Sequence, residues 1–318
     1  MPTEAIQPRV HETDPRRRER LLRLATRSSV ATALVLILGK LAAWLLTGSV
    51  SVLASLIDSV MDALASTINL LAIRYALRPA DEEHRFGHGK AEALAGLGQA
   101  TFIAGSAMFL TLHAVDRLLH PQPIAAAGVG IAVMAFAIVA TLVLLAIQRY
   151  VVRHTGSTAI KADSLHYFTD LITNLSIIAA LVLATFGWPG LDPVFALGIA
   201  AYILFSAWQI GREAVGLLMD RELPEEVRRR IVELAFRPEE VLGVHDLRTR
   251  QSGHRYFVQV HLEMEDGLSL TRAHAAAESV EQAVREAFPG SEVIVHQDPV
   301  GVVDHSRVAV EAQPRPSA

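Results

Sequence analysis

Two short patterns set acidic and imidazole side chains inside apolar surroundings. Asp58-Ser-Val-Met-Asp62 stands in one hydrophobic stretch and His166-Tyr-Phe-Thr-Asp170 in another. Both pairs are spaced i,i+4, which puts each pair on one helical face. Two such faces brought together offer one imidazole and three carboxylates. That mixed set suits a tetrahedral, zinc-like divalent ion, whereas oxygen ligands alone would favour magnesium or calcium. Polar residues inside a bundle can also simply hydrogen-bond helices to one another, as Asn69, Asn174 and Ser176 are placed to do. For the carboxylates that reading is costly, since an ionised Asp at mid-membrane opposes insertion by about 2.5–3.5 kcal/mol. Asp163, three residues before His166, is placed to orient the imidazole or to line an entrance.

The charge count gives the chemistry its direction. Three carboxylates and a neutral imidazole balance one divalent cation, but emptied they repel one another unless protons bind. Metal and proton therefore compete for one site. If that site opens alternately to the two sides of a membrane, inward protons drive metal outward with no covalent step.

Helices must position these groups, and the chain has the apolar length for them. A hydrocarbon core of about 30 Å needs about 20 helical residues. The sequence holds six such stretches, approximately 28–47, 50–77, 93–119, 124–151, 165–187 and 193–218. Hydrophobic residues make up 51% of the 318, and with no cysteine, disulfides, thiolate zinc sites and cysteine nucleophiles are excluded. The net charge of -4 carries no indication of nucleic-acid binding. Positive charge is concentrated in alternate segments: seven Arg between Arg9 and Arg27, then Arg74, Arg78, Arg85 and Lys90, then Arg149, Arg153 and Lys161. These segments are expected in the cytoplasm, with both termini inside. The intervening loops, near Gly48, at 120–123 and at 187–190, are the outer ones.

After Asp220 the periodicity changes. A charged helix (224–236), two alternating runs (241–250 and 256–264), a second helix (270–288) and a final strand (292–296) read as αββαβ. The expected fold is a six-helix all-α transmembrane bundle followed by a small α+β cytoplasmic domain. Its parts are a basic N-terminal segment (1–27), the bundle (28–218), the soluble domain (219–303) and a disordered tail (304–318). An exposed sheet or helix face on so small a domain favours a homodimer.

Taken together, the DxxxD and HxxxD pairs, the loop Asp81-Glu-Glu-His84-Arg-Phe-Gly-His88-Gly-Lys90-Ala-Glu92 and the histidines of the tail resemble the cation diffusion facilitator family, in its bacterial YiiP-type iron(II) and zinc efflux branch. The resemblance runs from about Arg20 to Gly301. It implies proton-coupled export of zinc, with cadmium or iron(II) also accepted, by a homodimer in the lipid of the bacterial inner membrane. It implies a metallochaperone-like tail, and transport ligands at Asp58, Asp62, His166 and Asp170. It further implies a loop metal site at Asp81, His84 and His88, residues that spacing alone leaves equally readable as solvated loop. In the tail it implies a two-ion regulatory site. His245, His261 and Asp298 would surround one ion. His274, His296 and a bridging Asp298 would surround the other, with the Gln297 carbonyl adding to them. Lys90 and Asp220 correspond to a charge interlock at the dimer hinge, though an ordinary snorkelling Lys and a helix-end Asp give the same pattern.

Two other function classes compete. A membrane sensor could carry the tail without transporting, but it would not need four buried ligands. An intramembrane protease needs two Asp facing across two helices, whereas Asp58 and Asp62 share one.

Overall fold

The computed structural model describes residues 14–48, 50–119, 128–185, 192–302 and 313–314. The loops at 120–123 and 187–190, expected on the outer side, lie outside the described residues. Contacts divide the chain into two compact units, one spanning 16–215 and the other holding the C-terminal part from Gly216.

The first unit consists of long helices: α1 (Pro15–Thr47), α2 (Val50–Ala76), α3 (Lys90–Leu119), α4 (Gly128–Thr155), α5 (Thr158–Thr185) and α6 (Asp192–Leu218). Among the described residues, the segments Arg16–Leu46, Ser55–Ala76, Lys90–Asp116 and Ala135–Thr155 are long and apolar enough to cross a membrane. The 28 residues of α5 and 27 of α6 give each about 40 Å of helix. Large apolar side chains such as Leu38, Leu46, Phe109, Leu112, Val143, Phe205 and Trp208 point outward, where a soluble protein would present polar groups.

The helix α5 is the centre of this unit. Ala162 and Leu165 pack with Ala100, Ile103 and Ala107 of α3 and Ile203, Ala207 and Ile210 of α6. On another side Tyr167 and Leu171 meet Leu144 and Leu145 of α4. The physical cause is composition: α5 carries Asp163, His166, Thr169, Asp170 and Asn174, polar groups that are costly against lipid and cheap only among other helices. Gly96 permits the close approach of α3, because a Cβ there would lie 3.0 Å from Thr158 Cγ2.

The boundary expected at residue 27 does not divide the structure. The helix α1 begins at Pro15, a residue suited to a first turn. Leu21, Leu22 and Ala25 are buried against Ile73, Val151, Ala159 and Ile160. The basic segment is thus amphipathic: most of its Arg face outward while its Leu and Ala close the ends of α2, α4 and α5. Arg18 turns inward instead and pairs at 3.3 Å with the buried Glu92 of α3.

The second unit contains α7 (Glu225–Ala235), β1 (Gly243–Ser252), β2 (Arg255–Met264), α8 (Leu270–Ala287), β3 (Glu292–Pro299) and β4 (Gln313–Pro314). Strand order is β3-β2-β1-β4, with β1 antiparallel to β2 and β4, and β3 parallel to β2 after the α8 crossover. The short β4 departs from the disordered tail expected over 304–318, since Gln313 and Pro314 pair with Val244 and Gly243. A proline fits there because β4 is an edge strand. Alternation along β2 sends Val258, Val260, Leu262 and Met264 to one face, where Ile231, Leu234, Ala276, Val280 and Val284 of the two helices cover them. The opposite face carries Gln259, His261 and Glu263.

Candidate functional site

Three of the four residues of the two sequence pairs converge where α2 meets α5. His166 Nε2 lies 2.9 Å from Asp62 Oδ1 and 3.8 Å from Asp170 Oδ2. Asp62, His166 and Asp170 each offer a ligand atom within 4.8 Å of the others. Tyr167 fixes the neighbourhood. Its hydroxyl donates to the Ser29 carbonyl at 3.3 Å and meets Ser66 Oγ at 2.9 Å, tying α5 to α1 and α2. Phe102 and Tyr167 close the sides of the imidazole with edge contacts, centroids 6.0 and 5.5 Å away.

Asp58 does not join this trio. It lies on the same helix but its side chain is exposed. An i,i+4 step rises about 6 Å and turns about 40° beyond a full revolution, so two short carboxylates on one face can point apart. Asp163, placed by its position either to orient His166 or to line an entrance, bonds to other helices. Its fully buried carboxylate accepts from Ser29 Oγ (2.6 Å), Gln148 Nε2 (2.8 Å) and Gln99 Nε2 (3.1 Å). That node joins α1, α3, α4 and α5. The imidazole Nε2 is instead hydrogen-bonded to the Asp62 carboxylate, whose Oδ1 accepts.

The loop between α2 and α3 forms a second cluster. Asp81 Oδ1 accepts the backbone N–H groups of His84 (2.7 Å) and Glu83 (3.1 Å), while Oδ2 lies 3.2 Å from His88 Nε2. The His84 backbone N–H holds the Asp81 carboxyl below the usual carboxylate range, aided by nearby His88 and His84. The His88 ring is buried against Tyr75, centroids 4.5 Å apart, and His84 lies 4.6 Å from it. The turn needs Gly87, whose φ is +78°. Asp81, His84 and His88 gather within ligand distance of one another.

In the second unit, strand register builds the third cluster. His245 on β1 pairs with His261 on β2, which pairs with His296 on β3, giving a row of three imidazoles across the sheet. The carboxylate of Asp298 serves them all: Oδ2 is 2.7 Å from His261 Nδ1 and 3.4 Å from His245 Nε2, and Oδ1 is 3.1 Å from His296 Nε2. His274 does not take part. It stands exposed on α8, and α8 covers the opposite face of the sheet from the histidine row.

Two residues around the row escaped the sequence reading. Glu263 Oε1 is 2.9 Å from His245 Nδ1, and Asp246 Oδ2 is 3.7 Å from His261 Nε2. Glu263 could have been found from strand alternation, since it shares a face with His261. Asp246 could not, because it sits in a bulge of β1 with a φ of +45°. Lys40 of α1 is a third omission, a charge inside an apolar stretch, which is itself a signal. Its ammonium donates to the Ser55 carbonyl at 3.0 Å and to Ser59 Oγ at 2.7 Å.

Asp220 ends α6 in the left-handed region, φ +55°, while the Arg221 N–H closes back on the Gly216 carbonyl at 2.9 Å. This is a helix C-terminal cap. The Asp220 carboxylate pairs with Arg250 at 3.4 Å within its own unit. Lys90 is the first residue of α3 in the other unit.

Residues 26–219 match the cation efflux transmembrane domain, and residues 223–300 match the cytoplasmic domain of cation efflux proteins. The cation-efflux pump FieF of Klebsiella pneumoniae is 53% identical over 284 residues, covering 89% of this chain and 95% of that one. FieF of Salmonella arizonae is 52% identical with the same coverage. A solved structure of CzrB in its Zn form covers 26% of this chain and 97% of its own, at 34% identity and a TM-score of 0.25. The metal-bound C-terminal domain of the CzcD transporter from Thermotoga maritima is 24% identical over 25% of this chain and 93% of its own, with a TM-score of 0.24.

Proposed function

The chain belongs to the cation efflux family of multi-pass membrane proteins with a cytoplasmic C-terminal domain, and we propose that it exports zinc from the cytoplasm in exchange for protons. It is a transporter of divalent cations and not an enzyme. The observation that carries the zinc reading is the trio itself: a buried imidazole whose nitrogen lies 2.9 Å from one half-buried carboxylate and 3.8 Å from another, between helices of a membrane bundle. A nitrogen among oxygens favours a borderline ion such as zinc, cadmium or iron(II) over magnesium or calcium.

The chain's own groups divide the work. Asp62, His166 and Asp170 form the pre-assembled half of the transport site, and Asp58 swings in from one turn away to complete four ligands. Once the ion leaves, neighbouring carboxylates oppose one another's charge, and protons taken from the outer side relieve that repulsion. The Asp163 node and the Tyr167 bonds keep α5 in register with α1 and α2 while access alternates. The polar row on the outer sheet face supports a regulatory role for the tail. His245, His261 and Asp298, with His296 beside them, fit a zinc ion by donor type and spacing, and the bound metal there supplies a cross-link between strands. We place the protein in a bacterial inner membrane as a homodimer with both termini inside, on the charge bias of its loops and the match of the cytoplasmic domain.

Zinc flux into proteoliposomes under an imposed pH gradient tests this. The parent should carry zinc against a proton flow, Asp62→Ala should carry none, and His261→Ala should still carry it at a lower or deregulated rate. Equal flux in all three would overturn the assignment of roles.

A further inference from the structure

The helix α1 puts one positive charge into an apolar stretch. Lys40 lies seven residues before the end of α1 at Thr47, about two turns inside it. From that position a lysine in contact with lipid would extend its stem toward the water at the helix end. The Lys40 ammonium instead turns inward to α2, donating to the Ser55 carbonyl at 3.0 Å and to Ser59 Oγ at 2.7 Å. Ser59 is buried and is flanked by Asp58 in sequence. Asp58 and Asp62 on α2 and Asp170 on α5 lie within electrostatic range of the Lys40 charge. They are three of the four residues assigned above to the transported ion.

A fixed cation beside a divalent-cation site works against binding, and its placement calls for a physical role beyond helix packing. Neutral Met or Gln would pack α1 on α2 without the cost of a charge in the membrane. We infer that Lys40 is the built-in counter-cation of the transport site, a specificity-setting residue that limits how tightly the carboxylates hold a divalent ion and so keeps the ion releasable. The inference rests on the transport-site reading given above. With metal bound, Lys40 repels the ion; with metal gone, it offsets part of the carboxylates' mutual repulsion. Its serine tethers hold the charge at a set position on α1 and α2, so it acts without becoming a ligand.

Zinc affinity of the full-length protein tests this, measured in detergent by competition with a fluorescent chelator. His84→Ala and His261→Ala in the same chain disable the other two clusters. In that background Lys40→Met should tighten zinc binding by at least about tenfold, a modest effect for one unit charge on a divalent ion inside a protein. It should also slow turnover in the flux assay, whereas Lys40→Arg should bind within about threefold of the background. Lys40→Gln, which keeps a donor for Ser59, should behave as Lys40→Met and serves if the latter does not yield monodisperse protein. Unchanged or weaker zinc binding in Lys40→Met and Lys40→Gln would overturn the inference and leave a helix tether. Asp62→Ala in the same background separates the two levels: it should abolish binding. Retained binding there would sink the transport-site reading, and the counter-cation with it.

Discussion

Replacing Asp163 by alanine should destabilise the membrane unit by about 2 kcal/mol or more. The carboxylate is the acceptor for Ser29, Gln99 and Gln148 at 2.6–3.1 Å, three bonds that join four helices. Interhelical hydrogen bonds in membranes average about 0.6 kcal/mol and reach about 1.7, so three together contribute roughly 2 to 5. The buried partners left behind by alanine push the loss upward, while relief from burying a carboxyl offsets part of it. Asp163→Asn keeps one acceptor oxygen and the shape, so its loss should be near 1 kcal/mol. Denaturant titration of full-length protein in detergent micelles, followed by helical circular dichroism, measures both. Zinc flux should fall in the same order, because the node lies one turn before His166. If Asp163→Ala stayed within about 0.5 kcal/mol of the parent, or if Asn cost more than Ala, the node would not be holding these helices.

In the tail, Glu263→Ala should weaken zinc binding about 10- to 100-fold, the usual effect of removing a group that orients a ligating histidine; titration in an Asp62→Ala, His84→Ala background reads it. Gly243→Ala should act in the same direction, since its Cβ would lie 2.5 Å from Glu263 Oε2 and displace that carboxylate from His245. No change in either variant would remove Glu263 from the site. In the loop, the Asp81 turn should keep its amide protection as pH falls from 7 to 5. Its carboxyl is held below the ordinary 3.8, so the contribution is present above that value and lost only as pH drops through the depressed one. Hydrogen exchange at Glu83 and His84, corrected for intrinsic rate, would contradict this if protection disappeared by pH 5.

Local pattern made much of this molecule readable. His166 and Asp170 meet Asp62 because α5 carries so many polar groups that it has to sit inside the bundle, and α2 presents Asp62 to it. The family resemblance implied His245, His261, His296 and Asp298 as a set, and strand register brings them to one surface. What the sequence hid depended on direction and partnership. Asp58 and Asp62 share a face, yet one turn of helix lets their carboxylates diverge. His274 has the right residue type, but its helix packs on the other side of the sheet. The segment before residue 27 read as a separate basic segment because its Arg outnumber its Leu, although the three apolar residues Leu21, Leu22 and Ala25 are enough to seat one face of it on the bundle. Asp163 invited pairing with His166 by proximity in sequence, while stronger donors waited on three other helices.

Zinc K-edge absorption tests the central claim most directly, using full-length protein with His84→Ala and His261→Ala so that only the membrane site loads. The account predicts one imidazole nitrogen at about 2.0–2.1 Å with carboxylate oxygens at about 2.0–2.2 Å, and loss of the nitrogen signal in His166→Ala. A nitrogen shell that survives His166→Ala, or zinc that binds with oxygens alone, would contradict it.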